Sequence, residues 1–254
     1  MRLSVFAAAI AACLLPAMTI AEPNVPARPA AAPSLPVAPA GAVVPQVSRA
    51  ARLAALAPGL GVDVMDLALK ARDCAIANGD ATGAGQKLAV IDYSKPSTAK
   101  RMWVFDLRDD RLLYAEHVAH GQGTGENYAR NFSNREGSHQ TSLGLFRTAE
   151  TYHGGNGYSL RMDGLDPGFN DQARARAIVM HGAPYVDPAA AQARGRLGRS
   201  HGCPAVRAQV AREMIDTLKG GQFVFSYYPD PAFLRTSRML ACNSGGSKLH
   251  TAAR

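Results

Sequence analysis

The period of the hydrophobic pattern changes at Lys87, and this change constrains the fold more than any other feature of the sequence. Short apolar stretches follow up to residue 227, and glycine- and asparagine-rich loops at 121–139 and 153–157 separate several of them. Short strands in series, with little helix between them, are typical of an antiparallel-rich sheet or barrel. We therefore predict a mainly β domain with short helices over residues 87–230, with strands at 88–91, 102–107, 112–118, 141–148, 158–162, 177–181 and 223–227.

A small helical segment precedes this domain. Residues 49–80 follow a helical period that is interrupted at Pro58 and Gly59, so we predict two helices, the second over residues 62–78. The apolar positions of this second helix form one stripe, which indicates a packing element without a site of its own. Residues 231–254 are interpreted as a C-terminal tail.

The first 21 residues have the features of a secretory signal, with Arg2 before an apolar run and small residues at the end. An uncleaved anchor and a lipoprotein signal at Cys13 are the alternatives. Residues 22–48 hold seven of the sixteen prolines and are predicted to form an extended linker. We therefore expect an exported protein of the periplasm or cell envelope, in contact with a membrane only through an uncleaved N-terminal segment.

The chemistry is predicted to lie between residues 176 and 220. A buried strand there ends at His181 and Gly182, and a polar, glycine-rich turn follows at residues 198–204. Pro204 suits the first position of a helix, so we predict that Cys203 is the N-cap of the helix that follows. The positive end of the helix dipole would then lower the pKa of the thiol and favour the thiolate.

Two interpretations of Cys203 are open. As a nucleophile for acyl transfer, it would use the backbone N–H groups of Gly202 and Cys203 to bind an oxyanion. The alternative is a buried structural cysteine or half of a disulfide. We favour the nucleophile because the turn is polar and has candidate bases nearby. His181 is the predicted base, whereas His201 and Ser200 are interpreted as residues of the turn or of the wall around it.

These residues resemble the signature of the YkuD-type L,D-transpeptidases, which are bacterial cell-wall enzymes with a catalytic cysteine. The closer resemblance is to the murein L,D-transpeptidase catalytic-domain branch. Cys203 is followed by Pro204 and Ala205, where the commonest form of the signature has an aliphatic residue and then Asn or Arg. The resemblance covers about residues 88–227 and includes His181-Gly182, Ser200-His201-Gly202-Cys203, Thr141-Ser142-Leu143-Gly144-Leu145-Phe146, Val118-Ala119-His120-Gly121, Phe132-Ser133-Asn134, Tyr158-Ser159-Leu160, Gly164-Leu165-Asp166 and Gly198-Arg199-Ser200.

The resemblance implies a β-sandwich or barrel of the L,D-transpeptidase type with the cysteine deep in a cleft. It also implies a reaction in which Cys203 attacks the third residue of a tetrapeptide stem of peptidoglycan and expels the terminal D-alanine. An amine on a second stem would resolve the thioester into a cross-link, and water would instead give L,D-carboxypeptidase activity. His181 would move the protons, and neither a metal nor an organic cofactor is required.

Substrate binding is assigned to Arg199, Tyr185 and His120. Peptide stems carry carboxylates, and residues 174–212 hold seven arginines against the single acid Asp187, so we expect a basic rim around the cleft.

Other functions are weighed on the same residues. A zinc hydrolase would use His181, His201 and Cys203 as ligands, but the segment offers only Asp187 as a base. A non-catalytic peptidoglycan-binding module is a second alternative. Nucleic-acid binding is supported only by the net charge of +8 and the pI near 9.6, and an exported protein does not meet the nucleic acids of the cytoplasm.

The remaining cysteines of the exported chain, Cys74 and Cys242, have two possible states. An oxidising compartment favours a disulfide that joins the second helix to the C-terminal tail. Two inert thiols are nearly as well supported, because sequence does not show how close the two Cα atoms come.

Overall fold

The computed structural model describes residues 46–81 and 85–242. The predicted signal at 1–21 and nearly all of the predicted linker at 22–48 lie outside the described residues, as does the end of the predicted tail. Among the helices of the described part, none is long and apolar enough to cross a membrane.

The described residues form a single mixed sheet of nine strands, which confirms the predicted β-rich class with short helices. Its order is β3-β2-β1-β9-β5-β6-β7-β8-β4. The strands are β1 (Lys87–Asp92), β2 (Met102–Asp106), β3 (Arg111–Glu116), β4 (Val118–Ala119), β5 (Gly144–Gly154), β6 (Gly157–Gly164), β7 (Val179–Ala183), β8 (Ala205–Arg207) and β9 (Phe223–Tyr227).

The sheet is barrel-like because its two outermost strands are neighbours along the chain. β3 ends at Glu116 and β4 begins at Val118, so one residue joins the first strand of the sheet order to the last. Pairing is antiparallel except between β1 and β9 and between β7 and β8. The antiparallel-rich prediction therefore holds, because six of the eight strand pairs are antiparallel.

Six α-helices of the described chain surround the sheet, and a short 3-10 helix covers Gln122–Thr124. The α-helices are α1 (Arg49–Ala55), α2 (Val62–Ala77), α3 (Pro188–Arg194), α4 (Ala208–Leu218), α5 (Pro231–Thr236) and α6 (Arg238–Ala241). The two predicted N-terminal helices are thus present, on either side of Pro58 and Gly59. Residues 231–241, which we interpreted as part of a tail, instead form two short helices, and each has an N-cap side chain, Asp230 or Ser237.

Both faces of the sheet are buried. Along β1, Leu88 and Val90 pack into one core with α1, α2 and the C-terminal helices, whereas Ala89 and Ile91 pack into a second core with α4. Successive side chains of a strand point to opposite faces, so a strand covered on both sides is apolar throughout. This explains why the strands of the sequence read as continuous apolar runs.

A disulfide joins the two ends of the domain. Cys74 on α2 is bonded to Cys242, just after α6, with their Cα atoms 5.6 Å apart. Of the two states left open by the sequence, the bridge is therefore the one found. Cys203 is the free cysteine of the described residues, and it is buried.

Candidate active site

The nucleophile turn, residues 200–203, is held by its own hydrogen bonds. The Ser200 hydroxyl donates to the Cys203 carbonyl oxygen at 2.7 Å and accepts the Gly202 N–H at 3.1 Å. Gly202 has a φ of 121°, and a Cβ there would lie 2.8 Å from the Gln140 carbonyl oxygen. The turn therefore requires glycine at this position both for its backbone angle and for the close approach of a neighbouring loop.

The structure corrects the predicted setting of the cysteine. Cys203 does not cap a helix, because residues Ala205–Arg207 form β8 and α4 begins only at Ala208, with Arg207 as its N-cap. Pro204 lies before the strand and not at the first position of a helix. The dipole of α4 therefore cannot be credited with lowering the pKa of this thiol.

The thiol is instead controlled by burial and by a few polar contacts. Cys203 is 8% exposed, and burial raises the pKa of its thiol. The Val179 N–H, 3.4 Å from Sγ, and the Arg176 guanidinium act against this and lower the pKa of Cys203. The thiol also lies 3.8 Å from the carbonyl oxygen of Ala177, whose φ of 53° is unusual for a residue with a Cβ. A resting thiol in this setting needs a base to become a nucleophile.

His181 lies on the strand next to the nucleophile. In the parallel pairing of β7 with β8, it is opposite Ala205, two residues after Cys203. Its ring Nδ1 is 3.0 Å from the Gly182 carbonyl oxygen, which can only accept, so Nδ1 carries the proton and Nε2 has a free lone pair. Burial lowers the pKa of His181, which keeps the ring neutral. No hydrogen bond joins His181 to Cys203 within the described part of the chain.

The predicted oxyanion donors are only partly available. The Gly202 N–H is already donated to the Ser200 hydroxyl, so Ser200 shapes the turn and occupies one of the two predicted donors. The Cys203 N–H faces its own thiol, where it lowers the pKa of Cys203. Gly182, which was grouped with these residues, leaves no room for a side chain. A Cβ there would lie 2.7 Å from the Ala211 Cβ on α4.

His201 faces away from the core. It is exposed, and its ring stacks on His139 with the ring centroids 4.2 Å apart. The three residues of the zinc alternative, His181, His201 and Cys203, do not converge, and no group of three or more His, Cys, Asp or Glu side chains in residues 46–81 and 85–242 is placed to hold a metal ion.

Two of the three predicted substrate contacts are engaged in bonds within the protein. His120 is 1% exposed, and it is held between Arg101 and the Gly125 carbonyl oxygen. Arg199 donates to the carbonyl oxygens of Gln122 and Gly125 and pairs with Glu126 at 2.8 Å, which engages its guanidinium in holding a loop.

Tyr185, the third of these residues, remains a predicted substrate contact. It is partly exposed, and burial together with the charge of a Cys203 thiolate raises the pKa of its hydroxyl to about 12. The phenol is therefore neutral in the physiological range and can donate a hydrogen bond to a bound peptide.

The predicted basic rim is largely neutralised. Acidic residues from other parts of the chain pair with four of the seven arginines: Arg174 with Glu150 and Asp163, Arg196 and Arg199 with Glu126, and Arg207 with Glu116. Counting charges along one segment missed these partners because the fold brings them in from distant parts of the sequence. Arg176 was counted in the same group, yet no acidic partner for it exists among the described residues.

The matched family is consistent with this geometry. Residues 56–227 match the L,D-transpeptidase catalytic domain family, YkuD_2. No curated protein matches the chain.

Solved structures of L,D-transpeptidases align with part of the chain. An L,D-transpeptidase from Mycobacterium smegmatis is 15% identical, with 56% of this chain and 59% of that chain covered and a TM-score of 0.35. The helical cell shape determining protein Pgp2 from Campylobacter jejuni is 14% identical, with 57% and 47% covered and a TM-score of 0.37. An L,D-transpeptidase from Stackebrandtia nassauensis is 15% identical, with 67% of each chain covered and a TM-score of 0.34. The chain spans less than two thirds of the first two proteins.

The family assignment rests on the domain match. It covers more than half of the chain and includes both the turn that holds Cys203 and the strand that holds His181. The chain belongs to the L,D-transpeptidase catalytic domain family.

Proposed function

We propose that this protein catalyses L,D-transpeptidation, an acyl transfer between peptidoglycan stem peptides through a thioester on Cys203. The observation that carries the proposal is a free, buried thiol two residues before β8, with a neutral histidine on the neighbouring strand β7. The Gly182 carbonyl oxygen sets the tautomer of His181 that leaves Nε2 able to accept a proton. Membership of the family supplies the substrate class.

The reaction has two halves, acylation of Cys203 and transfer of the acyl group to the acceptor, and each half requires two proton transfers. As the donor stem binds, His181 Nε2 takes the thiol proton and Sγ attacks the carbonyl carbon of the third residue. The tetrahedral intermediate collapses to a thioester, and the imidazolium returns the proton to the nitrogen of the departing D-alanine. An amine of a second stem then loses its proton to His181 and attacks the thioester. As the new amide forms and the C–S bond breaks, the imidazolium returns the proton to the departing Cys203 sulfur.

Burial of Cys203 explains why the thiol loses its proton only as the donor stem binds. The pKa of the thiol is raised, so the thiolate is scarce before the substrate arrives. Hydrogen bonds of catalytic residues are often long in an empty site and tighten when substrate binds, which agrees with the missing contact between His181 and Cys203. The Cys203 N–H remains as an oxyanion donor, and Tyr185 is proposed to contact the bound peptide.

Export is proposed from two features. Residues 1–21 have the pattern of a secretory signal. The bond between Cys74 and Cys242 fits an oxidising compartment such as the periplasm or cell envelope, where the substrate is found.

Mass spectrometry of the protein after incubation with purified tetrapeptide stems tests the reaction. We expect an adduct on Cys203 equal to the donor stem less D-alanine, followed by a cross-linked dimer when an amine acceptor is present. Cys203→Ser keeps the shape of the side chain and should lose both products while remaining folded, with the disulfide intact as an internal control.

Three outcomes of this experiment are informative. Cross-linking by the folded Cys203→Ser variant would refute the thioester route. Release of D-alanine with hydrolysed stems and no dimer at any acceptor concentration would identify a carboxypeptidase. Binding of stems with no release of D-alanine would identify a non-catalytic module.

A further inference from the structure

Arg176 occupies an unusual position among the arginines of the cleft. It is half-buried, and both terminal nitrogens of its guanidinium donate to one loop, residues 133–142. Nη1 contacts the Ser133 carbonyl oxygen at 2.7 Å and the Ser142 hydroxyl, and Nη2 contacts the Gln140 carbonyl oxygen at 2.7 Å and the Ser138 hydroxyl at 3.3 Å. One planar fork thereby joins both ends of the loop and its middle.

This loop forms a wall of the nucleophile turn. The Gln140 carbonyl oxygen, held by Arg176, would lie 2.8 Å from a Cβ on Gly202, and Arg176 Nη2 would lie 3.4 Å from it. The next residue, Thr141, donates its hydroxyl to the Gly202 carbonyl oxygen at 3.3 Å. Arg176 therefore holds in place the loop backbone that packs against Gly202, the residue before Cys203.

The charge of Arg176 also faces the thiol. The groups around Cys203 that titrate or carry charge are Arg176, Tyr93 after β1, Tyr185 between β7 and α3, and His181 on β7. Burial raises the pKa of both tyrosines and lowers that of His181, so these three are neutral in weakly alkaline solution. His139, His201 and Glu136 lie farther out, where they line a surface pocket together with Arg176.

We propose that Arg176 is a positioning residue for Cys203: its guanidinium fixes the 133–142 loop against the nucleophile turn and holds a positive charge where the thiolate forms. This inference rests on the proposed function for its effect on turnover, but its effect on the thiol does not. An ammonium group can supply the charge without the fork, and a neutral amide can supply neither. The two parts of the role are therefore separable by substitution.

The pH dependence of Cys203 alkylation by iodoacetamide, measured without substrate and mapped to Cys203 by peptide mass spectrometry, tests the charge. We expect Arg176→Gln to raise the pH midpoint by roughly 0.5–1 unit, because an opposite charge nearby favours the charged form of a thiol. Arg176→Lys should keep the midpoint near that of the natural protein. Arg174→Gln is the matched control, since Arg174 lies two residues earlier and pairs with Glu150 and Asp163 on the surface.

Turnover in the same variants tests whether the hydrogen bonds of the Arg176 guanidinium position the nucleophile turn. We expect Arg176→Lys to lose roughly tenfold or more in kcat, because a loosened wall misplaces the nucleophile although its charge environment is kept. An unchanged midpoint in folded Arg176→Gln would overturn the electrostatic part, and natural turnover in Arg176→Lys would overturn the positioning part. Should Arg176→Gln fail to fold, the Lys variant still decides the second point. If the natural protein lacks transferase activity but the midpoint shifts as expected, the proposed function fails and the role of Arg176 at the thiol stands.

Discussion

The dipeptide His-Gly occurs at two strands of this sheet, and the two histidines have different environments. His120-Gly121 directly follows β4 and His181-Gly182 lies within β7, and these two strands flank β8 on opposite sides. Both rings are buried, at 1% and 4% exposure. By sequence and burial alone, either could be the base that serves Cys203.

The partners of each ring separate them. His120 Nδ1 lies 2.8 Å from Arg101 Nη2, which can only donate, so Nδ1 accepts and Nε2–H donates to the Gly125 carbonyl oxygen. Both nitrogens are thus used, and burial together with the Arg101 charge lowers the pKa of His120 to about 4. Within residues 46–81 and 85–242, the His181 ring has one hydrogen-bond partner, the Gly182 carbonyl oxygen, and its second nitrogen has none. A histidine whose ring has an unused lone pair can move a proton, and one whose ring is fully bonded stabilises the fold.

Replacing each histidine by alanine should show the largest difference between the two residues. We expect His181→Ala to lower the rate of transpeptidation roughly 10²–10⁴-fold while the protein stays folded, because a general acid–base is removed. His120→Ala should instead lower the free energy of unfolding by about 1–3 kcal/mol, because buried Arg101 loses an acceptor. Steady-state rates per folded molecule and urea unfolding measure the two effects. If His120→Ala costs more rate per folded molecule than His181→Ala, we have assigned the base to the wrong strand.

The pH dependence of the free energy of unfolding should show a smaller difference between His120 and His181. His120 has a folded pKa of about 4, below its usual value in an unfolded chain, so the unfolded state binds more protons between these values. Its contribution is fully present above about pH 6.5 and is lost as the pH falls toward 4, to a total of about 3 kcal/mol at most. Burial also lowers the pKa of His181, so that residue contributes in the same direction.

The measurement is the free energy of unfolding in urea at pH 7 and pH 4.5. We expect His120→Gln to flatten the loss of stability with acid more than His181→Gln does, because glutamine keeps an acceptor for Arg101 without a titrating group. Equal slopes in the natural protein and His120→Gln would show that His120 does not stay neutral as the fold is acidified.

Local patterns in the sequence predicted the parts of this protein that depend on near neighbours. Seven of the nine strands, the break between α1 and α2 and the cysteine in a polar glycine turn follow from periodicity and turn chemistry. The bridge between Cys74 and Cys242 was one of two predicted states, and only the folded positions of α2 and α6 decide between them.

The wrong predictions share a cause, which is pairing between distant segments. Residues after Pro204 read as a helix, but Ala205 and Val206 instead pair with β4 on one side and β7 on the other, so α4 starts three residues later than β8 begins. Glu126 and Arg101, the partners of Arg199 and His120, likewise could not be placed from the sequence. The role proposed for Arg176 was missed for the same reason, since its acceptors lie more than thirty residues earlier.

The glycines of the two dipeptides give a third and smaller test. A Cβ on Gly121 would meet backbone, namely the His139 carbonyl oxygen and, at 2.9 Å, Gly202 Cα. A Cβ on Gly182 would meet a side chain first, the Ala211 Cβ at 2.7 Å. Overpacking of this kind costs typically about 1–3 kcal/mol, so we expect both Gly121→Ala and Gly182→Ala to lower the free energy of unfolding by that amount.

The two losses should differ in whether they can be rescued. Ala211→Gly removes the methyl group that Gly182→Ala would strike, so the double variant should recover about 1 kcal/mol more than the single effects predict, even though glycine within α4 costs about as much by itself. The recovery should be incomplete because the Ala208 Cα, 3.2 Å from the new methyl group, belongs to the helix backbone. Gly121→Ala has no side chain to trim, since its contacts are backbone atoms of the loop and of the nucleophile turn. We therefore expect no coupling energy between Ala211→Gly and Gly121→Ala in a double-mutant cycle measured by urea unfolding. If Ala211→Gly instead couples equally with Gly121→Ala and with Gly182→Ala, α4 moves as a whole against the sheet.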